Sequence, residues 1–233
     1  MVQFDHPSLL PDEFNGTARL LPLPNLVMFP SVMQPLHIHE SRYQELLANS
    51  LAEDRLIAMA MLASGWEADY EGRPPVMPIV CLGRIVSHSP LEDGRSNILL
   101  LGLRRARMIR ELPPARSYRE AELELLDDHY PQDTAKDRQE LGQRLMELFR
   151  RMLSTTQAIH EQLDQLAAGK VPLGALTDMV SHTLNIGMAP KQELLAELNV
   201  DRRAAKLLEH LEALHRDAAD GKRTTFPPPF SVN

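Results

Sequence analysis

The spacing of apolar residues changes part-way along the sequence. Up to about residue 128 they fall in short alternating or continuous runs, at 19–24, 34–40, 56–62, 78–88, 95–101, 105–112 and 118–126, separated by turn-forming residues. Runs of that length and period predict β-strands. Leu91-Glu92-Asp93-Gly94 predicts a hairpin turn, because glycine accepts positive φ without a Cβ clash. One segment breaks the pattern. Residues 41–47 open with Ser41 as a helix cap and carry Tyr43, Leu46 and Leu47 at helical spacing, so a helix is inserted among the strands.

Beyond residue 133 the period becomes helical. Leu141, Leu145, Leu148, Phe149, Met152 and Leu153 form one stripe, with Arg144, Glu147, Arg150 and Arg151 on the other side. The pattern runs through Ile159, Leu163 and Leu166 to Gly169, which suits a C-terminal cap. Residues 172–184, 190–198 and 201–215 predict three further helices, two opened by Pro172 and Pro190 and one capped by Asp201. The polar, Pro-containing stretch 127–133 separates the two patterns. The expected organisation is α+β: an N-terminal extension at 1–18, a β-rich subdomain with one inserted helix at 19–128, an α-helical bundle at 129–218, and a Pro-rich flexible tail at 219–233.

Composition narrows the classes of function. With 43% hydrophobic and 24% charged residues the chain reads as globular, and with only 5% aromatics its core rests on Leu, Met, Val, Ile and Ala. The net charge of −7 is shared by both halves, so no global attraction to nucleic acid or anionic lipid exists. Cys81 is the single cysteine, which excludes an internal disulfide and a cysteine zinc cluster and fits a reducing compartment. The longest apolar run, 56–63, is far short of the roughly 20 residues of a membrane span. Asp5, Asp12 and Glu13 make the N-terminus unlike a signal peptide. The expected location is the cytoplasm.

Candidate chemistry is sparse. His37 and His39 alternate in an apparent strand before Glu40, a set that could ligate zinc in a metal-dependent hydrolase; the competing reading is two satisfied polar side chains beside a core strand, since no HExxH arrangement accompanies them. Arg104, Arg105, Arg107 and Arg110 could grip anions, or form a solvated strand face balanced by nearby acids. Neither Gly169-Lys170-Val171 nor Gly221-Lys222-Arg223 makes a phosphate-cradling loop, and G-x-S-x-G is missing. Cys81 sits in an apolar strand, as a small core residue does. No catalytic constellation and no cofactor are predicted. Two irregular loops carry large apolar side chains suited to a polypeptide partner: Met28, Phe29 and Met33 in a Pro-bounded loop, and Trp66 and Tyr70 in the Gly/Pro-rich stretch 64–75. Core packing, or capping of an open sheet end, is the alternative for each.

Residues 20–30, Leu-Leu-Pro-Leu-Pro-Asn-Leu-Val-Met-Phe-Pro, followed by Gln-Pro-Leu-His-Ile-His-Glu-Ser-Arg-Tyr at 34–43, resemble the opening of the Lon protease N-terminal, substrate-binding domain. The similarity continues at Cys81-Leu82-Gly83-Arg84-Ile85-Val86, at Asp93-Gly94, at Leu101-Gly102-Leu103-Arg104-Arg105-Ala106-Arg107, and in residues 191–203, covering roughly 19–215. This resemblance implies a β-rich pseudo-barrel containing one helix, followed by a helical bundle. It implies a stand-alone form without the ATPase and Ser/Lys protease modules that follow in the full protease. The function it implies is non-catalytic binding of unfolded or exposed apolar polypeptide segments, or of a specific protein partner; net charge and the short apolar runs predict neither nucleic acid nor membrane as a partner.

Overall fold

The computed structural model describes residues 14–92, 94–132, 138–152 and 171–219. The expectations for the extension before residue 14, the helical continuation from Leu153 to Gly169 and the tail from residue 220 lie outside the described residues. The protein divides into two compact units, the change falling between Asp127 and Asp128.

The first unit contains β1 (Thr17–Leu23), β2 (Met33–Ile38), α1 (Ser41–Ala52), β3 (Leu56–Met61), β4 (Ile79–Pro90), β5 (Ser96–Glu111) and β6 (Arg119–Leu126). The strand order is β2-β5-β4-β3-β1-β6, and β6 also pairs with β5. That last pairing closes five strands into a barrel, leaving β2 attached outside it to the first part of β5. Among the described strands only β1 and β3 run parallel, as α1 lies between β2 and β3 in sequence and takes the backbone back across. Inside the barrel Ala18, Ala58, Ala60, Ala106 and Ala121 alternate with Leu20, Leu56, Val80, Leu82 and Leu123. Small residues interleaved with branched ones fill a narrow barrel without a void.

Two expected strands, 95–101 and 105–112, are one. Gly102, between the two runs, lets the 29–32 loop lie close against β5: a Cβ there would stand 2.0 Å from the Phe29 carbonyl oxygen, and the Gly102 N–H donates to Val32 O while its carbonyl accepts from Ser31 N. Beyond it the basic stretch faces acids on β6, with Arg107 2.9 Å from Glu124 and Arg110 2.8 Å from Glu122, each the register partner of the other. Arg104 bonds Asp127, whereas Arg105 is buried. A solvated face balanced by acids describes the exposed members of this run. Cys81 is fully buried in β4. The hairpin joining β4 to β5 has Gly94 at φ +82°, with Leu91 N donating to Arg95 O.

The second unit comprises α2 (Arg138–Met152), α3 (Leu173–Thr183), α4 (Met188–Ala196) and α5 (Val200–Ala219). Its buried residues include Leu145, Phe149, Leu176, Val180, Leu194, Leu195, Leu207 and Leu211. Helix starts differ in detail from expectation. Ser41 is the first helical residue rather than the cap, and Asn199, not Asp201, caps α5 by accepting from the N–H groups of Asp201 and Arg202 at 3.1 Å each. Asp201 instead binds Arg138, at 2.7 and 3.0 Å. At the centre of the unit Arg203, with no exposed surface, donates to both oxygens of Asp128 (2.9 and 2.7 Å), to Thr177 Oγ1 (2.9 Å) and to Glu197 O (2.7 Å), with Asp178 at 3.6 Å. A buried guanidinium is tolerable only when most of its donors are met in this way.

Candidate functional site

The residues singled out in the first loop part company. Met28 and Phe29 are 1% and 0% exposed and belong to the core, whereas Met33 is 48% exposed on β2. The loop is irregular, yet its backbone is held against Gly102 through Ser31 and Val32, with the Phe29 carbonyl close by. As surface contacts Met28 and Phe29 are therefore withdrawn.

Met33 belongs to a sheet face. It pairs with Leu101, which pairs in turn with Arg84; Pro35 pairs with Leu99, which pairs with Ser87. Cross-strand partners share a face, so Met33 and Pro35 of β2 stand together with Leu99 and Leu101 of β5, and Arg84 and Ser87 of β4 continue the same face. Val86 is 43% exposed at the β4 irregularity between Ile85 and Ser87. Among the described residues β2 pairs with β5 alone, so its other edge is unpaired. Pro35 has no N–H to offer there, and Gln34 Nε2 donates to Pro35 O at 2.9 Å, two features that discourage addition of another strand. What the edge presents is chiefly side chains.

The second loop is a strap at one end of the barrel. Gly65, at φ +86°, opens a 3₁₀ turn at Trp66–Asp69, and the strap closes through Ala63 N to Pro75 O (2.8 Å) and Met77 N to Met61 O (2.8 Å). Trp66 and Tyr70 are half-buried and meet edge to face, with ring centroids 5.5 Å apart. Beneath the strap lies a cleft of about 250 Å³ whose walls are residues 70–74, residues 114, 116–119 and the start of α1, with Pro22 and Leu62 completing it.

Arginines hold this cleft together. Arg42 sits 4.9 Å from the ring centroids of both Tyr43 and Tyr70, donates to Glu40 Oε2 at 2.9 Å, and reaches Tyr70 O at 3.3 Å. The Tyr70 hydroxyl donates to Glu40 Oε1 at 2.7 Å; burial first, then Glu40, raises its pKa. Arg119 donates to Glu111 and, at 2.8 Å, to Pro74 O. Arg73 reaches the same Glu111 at 3.8 Å. Burial also pushes up the Tyr43 phenol, whose hydroxyl donates to Pro22 O at 3.1 Å. Both phenols keep their protons near neutrality.

The alternative metal set fails on geometry. His37 and His39 do stack, with ring centroids 5.8 Å apart, and His37 Nδ1 is hydrogen-bonded to Asn97 Oδ1 at 2.9 Å. Glu40, however, is committed to Arg42 and Tyr70. Among the described residues no group of three or more His, Cys, Asp or Glu side chains could hold a metal ion. A hydrolase built on His37, His39 and Glu40 has no support. Nor is any described helix long and apolar enough to cross a membrane.

Residues 17–213 match the family model of the ATP-dependent protease La (LON) substrate-binding domain. The chain belongs to this family. Lon proteases of Desulfosudis oleivorans and Dictyoglomus thermophilum are each 26% identical to it, over 86% and 89% of its length. The match spans about a quarter (24%) of the length of each relative. Among solved structures, the Lon N-terminal domain from the Mycobacterium avium complex matches with a TM-score of 0.66 at 15% identity, covering 84% of this protein and 98% of that one. The Lon N-terminal domain protein of Xanthomonas campestris matches with 0.58 at 20% identity, covering 83% and 97%. The pseudo-barrel with one helix, followed by helices, is thus a Lon N-terminal fold.

Sequence reading missed Arg42, Tyr43, Arg73, Arg116 and Arg119, which the fold gathers at the cleft from three separate segments. A signal was present. Arg73 precedes Pro74-Pro75 and Arg116 follows Pro113-Pro114 closely, so two stiff Pro-Pro loops each carry an arginine.

Proposed function

We propose that this Lon-type domain binds polypeptide segments with exposed apolar side chains, and that Met33, Trp66 and Tyr70 are contacts. The observation that carries the reading is the apolar sheet face at the β2 edge, where Met33 and Pro35 are exposed beside the half-buried Leu99 and Leu101. Membership of the substrate-binding family supports it. An apolar side chain fully buried there contributes about 1.5–3 kcal/mol. Association and ordering cost several kcal/mol, so affinity depends on more than one contact. In this reading the domain captures and performs no chemistry of its own. It acts in the cytoplasm, in keeping with its single buried thiol.

Titration of a permanently unfolded, S-carbamidomethylated protein against the full-length protein tests this. Wild type is expected to bind, and Met33→Gln to bind several-fold more weakly with an unchanged melting temperature. Trp66→Ala removes an anchor worth on the order of 2 kcal/mol, about thirtyfold in affinity, if Trp66 is a hot spot; a fall in melting temperature with unchanged affinity would instead make Trp66 a cap of the barrel end. No binding by wild type, or equal affinity across wild type and both variants, sinks the assignment.

A further inference from the structure

The barrel-end cleft contains more binding capacity than its own ion pairs use. Four arginines line it, against the single carboxylate of Glu71 in the lining. Arg42 and Arg119 are spoken for, because each is bound to a glutamate and to a strap carbonyl. These two build the site rather than serve it. Arg73 and Arg116 differ. Arg73 is exposed and shares Glu111 with Arg119, reaching it only at 3.8 Å, longer than a hydrogen bond. Arg116 is exposed and makes no ion pair or hydrogen bond with any described residue. They stand on two Pro-rich loops that line one cleft, so an anion bound in it has a planar, always-charged fork on each loop to meet. Tyr70 lines the same cleft and is only half-buried, so part of its side chain remains open to a neighbour.

We infer that this cleft is a carboxylate-binding subsite, with Arg73 and Arg116 gripping the acidic group of a bound polypeptide while Tyr70 packs against the residue next to it. The substrate class is then an apolar or aromatic residue adjacent to a carboxylate, which an apolar sheet face alone could not select. The inference rests on the polypeptide-binding reading and adds a chemical preference to it. The carboxylate has two possible sources, an Asp or Glu side chain and the free C-terminus of a polypeptide, and the forks suit both.

The test uses the ¹⁵N-labelled full-length protein titrated with three dipeptides: Ac-Phe-Glu-NH₂, Ac-Phe-Gln-OH and neutral Ac-Phe-Gln-NH₂. At least one acidic probe is expected to shift the amide resonances of Gly72 and Ser117 and the Arg73 and Arg116 Nε–H signals, and to bind at least fivefold more tightly than the neutral one. Whichever acid is favoured identifies the source. The advantage should shrink in 0.5 M salt, as exposed charges are screened there. Because both arginines are exposed, an R73Q/R116Q variant should keep the wild-type melting temperature and bind all three probes equally. Equal binding of acidic and neutral probes to wild type, an undiminished acidic preference in R73Q/R116Q, or no shift at the cleft at millimolar probe overturns the proposal. Failure of the cleft is distinguishable from failure of the sheet face, which is read separately by Met33→Gln against the S-carbamidomethylated protein.

Discussion

Single residues in this protein are defined by what surrounds them more than by type. Met28 and Met33 lie five positions apart and share a chemistry, yet Met28 is core and Met33, the first residue of β2, stands open on the sheet face. Replacing Gly102 by Ala sets a Cβ against the Phe29 carbonyl and forces the loop away from β5. The expected cost is about 1–3 kcal/mol, the range for overpacked interiors, read as a lowered urea midpoint of the β-rich unit; an unchanged midpoint would show that the loop adapts freely. Arg203 is the corresponding residue of the helical unit. Arg203→Met leaves Asp128 and the buried Asp178 without their shared cation, and removing one partner of a buried pair costs about 3–5 kcal/mol. Urea unfolding followed by helical dichroism measures it, and a loss below about 1 kcal/mol contradicts the central role given to this guanidinium.

At the scale of elements, α3 and α4 meet around two bases, the half-buried His182 and the buried Lys191. His182 at the end of α3 has its pKa lowered to about 4 by burial and then by the charge of Lys191; burial lowers Lys191, on α4, to about 8. The Lys191 ammonium donates to His182 O at 2.8 Å. The sign follows from proton uptake. Between about pH 4 and 6.5 the unfolded state holds more protons at His182 than the folded one, so stability falls as pH drops through that window. Between about pH 8 and 10.5 the same imbalance at Lys191 makes stability rise with pH. Denaturant unfolding of wild type and His182→Gln at pH 7, 5.5 and 4.5 checks the first: the difference between them should change with pH, and parallel curves would exclude His182 as the source. The element most changed from expectation is β5, where two apolar runs around Gly102 form one strand. Its basic second half was legible as a solvated face, since Arg107 and Arg110 find Glu124 and Glu122 across the register.

For the whole molecule, the β-rich unit is closed by its own hydrogen bonds. Every named strand pairing lies between Thr17 and Leu126, and β5–β6 pairing leaves no barrel edge open except through β2. A fragment of residues 14–127 is accordingly expected to fold alone, giving a dispersed ¹⁵N–¹H spectrum and a cooperative melt; a collapsed spectrum would mean that the barrel depends on residues beyond it.

The change from period-2 runs to a 3.6-residue stripe was enough to read an α+β protein, because burial on one face dictates the period of each element. The Lon-type resemblance was legible for the same local reason, carried by contiguous motifs such as 20–30 and 101–107. Cys81 could be read as core from its apolar neighbours alone. Other features depend on residues far apart in sequence, and local pattern holds no information on them. Glu40 looked like a third metal ligand until Arg42 and Tyr70 took its oxygens. Nothing in the residues around Arg203 announces its burial, which is decided by Asp128, 75 positions away. The cleft brings Arg42, Arg73, Arg116 and Arg119 together from three segments. Periodicity reports which side of an element is buried, while the tertiary structure alone decides which charges meet there.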